Sequence, residues 1–293
     1  MKSLLTLVLV VLYCSSFGQI RTFLDGKKDK DKIEQAKNAT TFFLLPSYYE
    51  KEQYQSILEE YWTYSKFEVI SPEKCEYKGG LPDHSRFKNL NEPINFIQLT
   101  GYKKQEHFRF STLLELYHHQ KNRSSDFIMA QFFLYDNSKV ASGPLSTHNF
   151  SLGLFQNYIQ KLNSLLESKQ RYNKLVDYTG ELAELRKNTL YIPQYHLDQM
   201  EMTEQEFKTK VFTDYPFKTA VISQKELDEK ILNKEKCYYF IWNRKGNGTY
   251  FWVANSLTGD IIYSGYGGGG VKTEKNVDKL TKKHLKKFTN KLN

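Results

Sequence analysis

The order of strand and helix signals in this sequence occurs twice, and this repetition constrains the fold more than any other feature. The strings V-I-S-P-E-K, from Val69, and V-I-S-Q-K-E, from Val221, occupy the same place in the two series. Each string overlaps the end of a β-rich run that follows a helical pattern, and each series begins with a run that stops at a proline, Pro46 or Pro193. The sequence therefore predicts a tandem repeat of one structural unit.

Alternating and β-branched residues indicate the strands of the first half. We expect them at Thr40–Leu45, Phe67–Ile70, Asn95–Tyr102 and Asp126–Tyr135, with an added strand at Arg109–His118. Ser47 and Glu50 have the spacing of a capping box, which predicts a helix start there. The half ends in an amphipathic helix whose apolar positions include Phe155, Ile159 and Leu162.

The second half repeats these signals with clearer helix starts. We expect strands at Thr189–Ile192, Lys218–Ile222, Cys237–Asn243 and Thr249–Tyr263. Two capping boxes, Thr203 with Glu206 and Ser223 with Glu226, each predict a helix. The segment Lys245-Gly246-Asn247-Gly248 indicates a hairpin turn. A final amphipathic helix begins near Thr273.

This order of elements predicts an α+β (mixed α/β) fold. We expect two diverged copies of a β-α-β-α-β-β-α unit, each forming a mixed sheet with helices on one face. The predicted boundaries are 1–18 for a signal peptide, 19–37 for a charged leader, 38–168 for the first repeat, 169–187 for a helical linker and 188–293 for the second repeat with its Lys-rich C-terminal helix.

The amino terminus has the three regions of a secretory signal peptide. Lys2 precedes an apolar run from Leu4 to Leu12, and small residues follow up to Gly18, after which we expect cleavage. The run is too short to span a membrane, which takes about 20 apolar residues. Lipidation at Cys14 is disfavoured because Tyr13 stands where a small residue is needed. We therefore expect an exported protein, either periplasmic or secreted.

Basic residues are concentrated at the carboxyl terminus. The chain has a formal net charge of +9, and residues 271–293 hold eight lysines against two acids. The lysines fill the polar face of the final helix, so a solvated face is the simplest interpretation. A membrane surface is the alternative partner, through Lys272, Lys275, Lys279, Lys283 and Lys286. Export makes nucleic acid an unsuitable partner.

The remaining motifs indicate little chemistry. Cys75 and Cys237 could form a disulfide in an exported protein, although the sequence does not show that they approach each other. Gly265, Gly267 and Gly270 fit a G-x-G-x-x-G pattern after a strand, which makes a weak anion-binding loop. The histidines lack the spacing of metal ligands on a helix, and we predict neither a metal site nor a cofactor.

The order of elements, together with the strings F-L-L-P from Phe43 and T-G-D-I-I-Y from Thr258, resembles a known small α/β domain. That domain occurs at the amino terminus of the periplasmic Tol system propeller protein and in the curli secretion lipoprotein family. The junction Phe17-Gly18-Gln19 and the richness in Tyr, Lys and Asn resemble uncharacterised secreted proteins of the Bacteroidota. The resemblance implies a binding role and transfers no catalytic residue.

Repetition without a catalytic motif predicts a secreted or periplasmic binding module, leaning away from an enzyme. No catalytic residue can be named, since there is no nucleophile elbow and the string Asp83-His84-Ser85 lies in a predicted loop. One alternative is a hydrolase acting on envelope polymers, with carboxylates such as Glu201, Glu204 or Asp214 between the repeats. A second is peripheral membrane attachment through the basic C-terminal helix.

Overall fold

A computed structural model of the chain has the α+β architecture that the sequence predicts. It describes residues 20–22, 29–45, 48–70, 77–78, 81–82, 94–103, 110–119, 127–137, 149–169, 177–178, 180–245, 248–267 and 280–292. The predicted signal peptide, Cys14 and the Asp83-His84-Ser85 string lie outside these residues. Among the helices that are described, none has the length and apolar character needed to cross a membrane.

The first sheet has six strands in the order β1-β8-β7-β6-β2-β3. Their bounds are Ile20–Thr22 (β1), Thr40–Leu44 (β2), Phe67–Ile70 (β3), Ile94–Lys103 (β6), Phe110–His119 (β7) and Phe127–Asn137 (β8). Two short strands, Tyr77–Lys78 (β4) and Leu81–Pro82 (β5), pair separately. Strand β2 is parallel to β3 and β6, and the remaining pairs are antiparallel.

The second sheet also has six strands, in the order β11-β10-β12-β13-β14-β9. Their bounds are Asp177–Tyr178 (β9), Leu190–Pro193 (β10), Thr219–Ile222 (β11), Tyr238–Lys245 (β12), Gly248–Asn255 (β13) and Ile261–Gly267 (β14). Strand β10 is parallel to β11 and β12, and the remaining pairs are antiparallel. Strands β12 and β13 pair from Lys245 opposite Gly248, as the hairpin signal predicts.

The two sheets match position by position when each is read from its parallel edge. The order β3-β2-β6-β7-β8-β1 corresponds to β11-β10-β12-β13-β14-β9, with the same directions. Equivalent hydrogen bonds occur as well, since Thr41 N–H donates to the Lys66 carbonyl at 2.8 Å and Leu190 N–H to the Lys218 carbonyl at 3.0 Å. A tandem repeat predicts this match, and both the repeat and its origin by duplication stay predictions.

Seven α-helices and one 3-10 helix are found in the described residues. The α-helices are Lys30–Asn38 (α1), Lys51–Tyr61 (α2), Leu152–Glu167 (α3), Gln194–Met200 (α4), Glu204–Lys210 (α5), Gln224–Leu232 (α6) and Lys282–Leu292 (α7). The 3-10 helix is Gly180–Arg186, within the predicted linker. Helix α1 lies in the predicted charged leader, and its Ile33 and Ala36 are buried in the core.

Two predicted helix starts are confirmed and a third is wrong. The boxes of Thr203 with Glu206 and of Ser223 with Glu226 cap α5 and α6. Helix α2 begins after Glu50, whose N–H donates to the Gln53 side-chain oxygen at 3.1 Å, rather than at Ser47. The same kind of capping box forms three residues later than expected. The Gln53 side chain accepts from the Glu50 N–H, as the Glu50 side chain was expected to accept from the Ser47 N–H.

Helices pack on both faces of the second sheet, which corrects the expectation of one covered face. Alternate residues of β12 pack on opposite faces. Tyr238 and Phe240 pack against α4, α5 and α7, whereas Tyr239 and Ile241 pack against α3 and α6. Because successive strand residues point to opposite faces, an aromatic run of this kind buries both sides. The predicted strand from Thr249 to Tyr263 is also two strands, β13 and β14, joined by a turn.

Helix α3 lies between the two sheets and is buried on nearly all sides. Its Phe155 and Ile159 pack with residues of α2 and the first sheet. Its Asn157 faces the second sheet, where the side-chain nitrogen donates to the Ser256 carbonyl at 2.8 Å. The layers of the molecule therefore run from the first sheet, through the helices around α3, to the second sheet and its outer helices.

The turn between β13 and β14 requires glycine where it meets α3. Gly259 has φ of 68°, and a Cβ there would lie 2.2 Å from the Asn157 carbonyl oxygen. We expect Gly259→Ala to lower the free energy of unfolding by about 2 to 4 kcal/mol, measured by urea denaturation. Gly180→Ala is the control, since no atom lies within 4 Å of that Cβ, and it should change stability by less than about 0.5 kcal/mol. Equal losses would contradict this contact.

Candidate functional site at the junction of the sheets

The topology of the second sheet predicts a crevice at the carboxyl ends of β10 and β11. Helix α4, which follows β10, packs through Leu197 on the outer face of the sheet. Helix α6, which follows β11, packs through Leu227 on the inner face. Neighbouring parallel strands whose following helices leave toward opposite faces form a crevice beyond their carboxyl ends, where α/β proteins commonly bind ligands. The candidate site therefore lies beyond Pro193 and Ile222.

Side chains of α6 meet the amino terminus of α3 at this crevice. The Ser151 hydroxyl caps α3 by accepting from Leu154 N–H at 3.2 Å, and it donates to Asp228 Oδ1 at 2.5 Å. The Gln224 side-chain nitrogen donates to both Ser151 Oγ and Asp228 Oδ1, at 2.9 Å each. Asp228 also accepts from Gly153 N–H. A helix amino terminus of the first half thus receives a carboxylate from the second half, which suits the partial positive charge there.

Gly153 allows α3 and α6 to approach this closely. A Cβ at position 153 would lie 2.7 Å from Asp228 Oδ1 and 2.8 Å from Asp228 Cα. Real Cβ atoms do not approach backbone atoms at such distances, so a larger residue would push the two helices apart. The contact between Asp228 and the backbone N–H of Gly153 therefore depends on the missing side chain.

Asp228 titrates close to neutrality. Burial raises the pKa of its carboxyl from 3.8 to about 6, while the hydrogen bonds from Ser151, Gln224 and Gly153 act in the opposite direction. Desolvation of the charged form is the larger effect. The carboxyl therefore gains or loses its charge near pH 6, inside the contact between the two halves of the chain.

Two tyrosines feel the charge of this carboxyl, and their hydroxyls bond to Asn149, which contacts the second sheet. Tyr158 OH donates to the Asn149 carbonyl at 2.7 Å, and Tyr195 OH donates to Asn149 Oδ1 at 2.8 Å. The Asn149 side-chain nitrogen donates in turn to the Trp242 carbonyl at 3.2 Å. Burial raises the pKa of Tyr195 and Tyr158 well above the ordinary value, so both remain neutral.

The rim of the crevice is more accessible than its floor. Tyr48 is 39% exposed, and its ring centroid lies 6.3 Å from that of Phe150. Tyr49 is half-buried, and its pKa is raised by burial and by the charge of Asp228. The Gln224 side-chain oxygen is buried and has no hydrogen-bond partner in the described part of the chain. The site therefore combines exposed aromatic surface with a buried amide acceptor.

His196 forms part of the packing beneath the site. Its ring is fully buried and stacks on Trp242, with centroids 5.8 Å apart. The backbone N–H of Trp242 donates to His196 Nε2 at 3.3 Å. A histidine held in this way supports the end of β10. Within the described ranges no group of three or more His, Cys, Asp or Glu side chains is placed to hold a metal ion.

The carboxylate at the junction differs from those that the sequence suggested. Glu204 on α5 pairs with Lys208 at 2.7 Å, and Glu201 ends α4, on the outer side of the second sheet. Asp214 is exposed in the segment after α5. Asp228 was missed, although it shares a helix face with Leu227 and Ile231, and an acid on an apolar face was the available signal.

The predicted anion loop and disulfide lie only partly within the described residues. A Cβ on Gly265 would lie 2.4 Å from the Phe251 ring, so this glycine makes room for an aromatic side chain in the sheet. Gly267 ends β14, and Gly270 lies outside the described residues. Cys237 is buried, which raises the pKa of its thiol, and Cys75 lies outside the described residues. Both hypotheses stay predictions.

The basic helix α7 has the amphipathic form that the sequence predicts. Leu285, Phe288 and Leu292 are buried against the second sheet, and Lys283 and Lys286 are exposed. Lys272, Lys275 and Lys279 lie outside the described residues. The apolar face is therefore used in the core, and attachment of the lysine face to a membrane surface stays a prediction.

The raised pKa of Asp228 predicts a specific pH dependence of stability. Because the folded state holds this proton more tightly than the unfolded state, the contribution of Asp228 to stability should fall by about 2 kcal/mol as pH rises from 4 to 6. We expect Asp228→Asn to remove this slope in urea denaturation across that range. Glu226→Gln, on the same helix, should act in the opposite sense, because hydrogen bonds with Ser223 lower the pKa of Glu226. An unchanged slope in Asp228→Asn would contradict the burial of this carboxyl.

The chain was compared with models of protein families, with curated proteins and with solved structures. None of the three comparisons finds a match. The resemblance to the small α/β domain of the Tol and curli proteins therefore stays a prediction. Function has to be inferred from the geometry of the site.

Proposed function

We propose that the chain is an exported binding module that engages a protein or another component of the cell envelope. The crevice beyond β10 and β11, with its exposed Tyr48, carries this proposal. Export rests on residues 1–18, which have the regions of a signal peptide. Periplasmic or secreted location is therefore part of the proposal.

The residues at the rim suit recognition of a macromolecular surface. Tyr48 and Tyr49 offer rigid aromatic contact areas, and such rings lose little conformational entropy on binding. Gln194 and Gln224 add side-chain amides from the starts of α4 and α6. Aromatic and amide groups of this kind are typical of binding surfaces that combine apolar contact with hydrogen bonds.

The rim is also held rigidly before any partner arrives. Ser151, Gln224 and Asp228 connect α3 to α6, and Asn149 connects the same turn of chain to Tyr195 and Trp242. A surface whose parts are already ordered loses less entropy on association, which favours binding. The buried Gln224 oxygen is free to accept a hydrogen bond if a ligand or water reaches it.

Affinity capture with a matched pair of variants tests this function. The chain from Gln19 onward is immobilised and exposed to envelope extract, and recovered components are quantified. We expect a reproducible partner whose recovery falls at least about fivefold with Tyr48→Ala, since exposed aromatic anchors often dominate binding energy. Leu257→Ala is the control, because Leu257 is also 39% exposed but lies away from the crevice. It follows Ser256, whose N–H bonds to the residue before β12, at the amino-terminal end of that strand.

Two results would contradict the proposal. The first is the absence of any component that is recovered reproducibly above the level of an unrelated immobilised protein. The second is an equal loss of recovery in Tyr48→Ala and Leu257→Ala, which would separate binding from the crevice. Circular dichroism of both variants should match that of the wild type, since neither side chain is buried.

A further inference from the structure

Strand β11 is at the edge of the second sheet and presents backbone groups outward. Among the described residues it pairs with β10 alone. Leu190 N–H donates to the Lys218 carbonyl, so Lys218, Ala220 and Ile222 direct their backbone groups toward β10. Thr219 and Val221 therefore direct theirs away from the sheet. An edge with free donors and acceptors is a template for pairing with another strand.

The edge of β11 is short, but it lacks three other features that usually prevent such pairing: a charge, a proline and a bulge. Its four residues, Thr219 to Ile222, include neither a charge nor a proline, and its pairing with β10 has no bulge. The equivalent edge strand of the first sheet, β3, differs in this respect. Thr41 and Leu190 are equivalent by their hydrogen bonds, which places the exposed Glu68 of β3 where β11 has Ala220. One edge is protected by a charge and the other is not.

We propose that β11 pairs with β11 of a second copy of this chain, antiparallel and centred on Ala220, which joins the two second sheets into one. In this register Thr219 faces Val221 of the other copy, and both present outward backbone groups, so they form hydrogen-bonded pairs. Ala220 faces its own equivalent at a non-hydrogen-bonded position. Such positions bring Cα atoms to about 4.5 Å, which the small alanine side chain allows.

Charge complementarity also favours a second copy as the occupant. The exposed Lys218 precedes β11, and the exposed Glu226 lies in the first turn of α6, just after it. Antiparallel pairing places Lys218 of each copy beside Ile222 of the other copy. Lys218 therefore lies at the end of the other copy's strand that leads to Glu226. The two Lys218 side chains are at opposite ends of the paired strands, so they do not repel each other.

A charge exchange at Ala220 tests this register. The side chain of Ala220 is half-exposed, and the first sheet carries Glu68 at the equivalent place, so Ala220→Glu and Ala220→Lys should both fold. Wild-type chain from Gln19 onward is expected to sediment as a dimer. Each variant alone is expected to associate at least about tenfold more weakly, because like charges directly opposite each other destabilise strand pairing. An equimolar mixture of the two variants should regain the dimer.

Three results would overturn this proposal. Wild-type protein could remain a monomer at the highest concentration reached, or Ala220→Glu could dimerise as strongly as the wild type. Alternatively, the mixed variants could stay monomeric, which would assign the edge to a different partner or register. Circular dichroism and thermal melting of each variant show that it is folded. Tyr48→Ala should leave the mass unchanged, so failure of the dimer is distinct from failure of the binding function.

Discussion

The arrangement of the molecule depends on the side-chain amide of Asn157. This residue belongs to α3, a helix of the first half of the chain, but its hydrogen bonds reach the second half. Tyr239 OH donates to Asn157 Oδ1 at 2.8 Å, and Asn157 Nδ2 donates to the Ser256 carbonyl at 2.8 Å. Because these groups are buried, removing the Asn157 amide would leave the Tyr239 hydroxyl and the Ser256 carbonyl without these partners inside the core, at a cost of about 1 to 3 kcal/mol each. The two sheets are therefore parts of one core.

The candidate site follows from the position of the same helix. The amino terminus of α3 is held against α6 by Ser151 and Asp228, and this contact forms the floor of the crevice beyond β10 and β11. Farther along α3, Gln156 donates to the Ile231 carbonyl at 3.2 Å, which makes a second contact between α3 and α6. The proposed binding surface and the core therefore share residues. We expect a change of charge at Asp228 to affect both.

Local features were predictable from the sequence, and contacts between distant segments were not. The caps at Thr203 and Ser223 and the hairpin at Lys245 depend on neighbouring residues, and they were found. The partly buried acid Asp228 meets Ser151, 77 positions away, and Asn157 meets Tyr239, 82 positions away. In the sequence, polar residues such as these look like part of a solvent-exposed helix face. Only the packing of α3 shows that they are in contact. Helix α1 was hidden for a similar reason, because charges on its exposed side outnumber its buried Ile33 and Ala36.

Hydrogen exchange in an Asn157→Ala variant tests most directly whether α3 joins both sheets into one cooperative core. Native-state exchange read by mass spectrometry would follow the backbone amides of Ile97 in β6 and Phe240 in β12, which are fully buried. If the core is shared, protection of both should fall by the same factor, corresponding to about 2 to 3 kcal/mol. A fall in β12 with unchanged protection in β6 would show that the sheets unfold separately, and it would contradict this account.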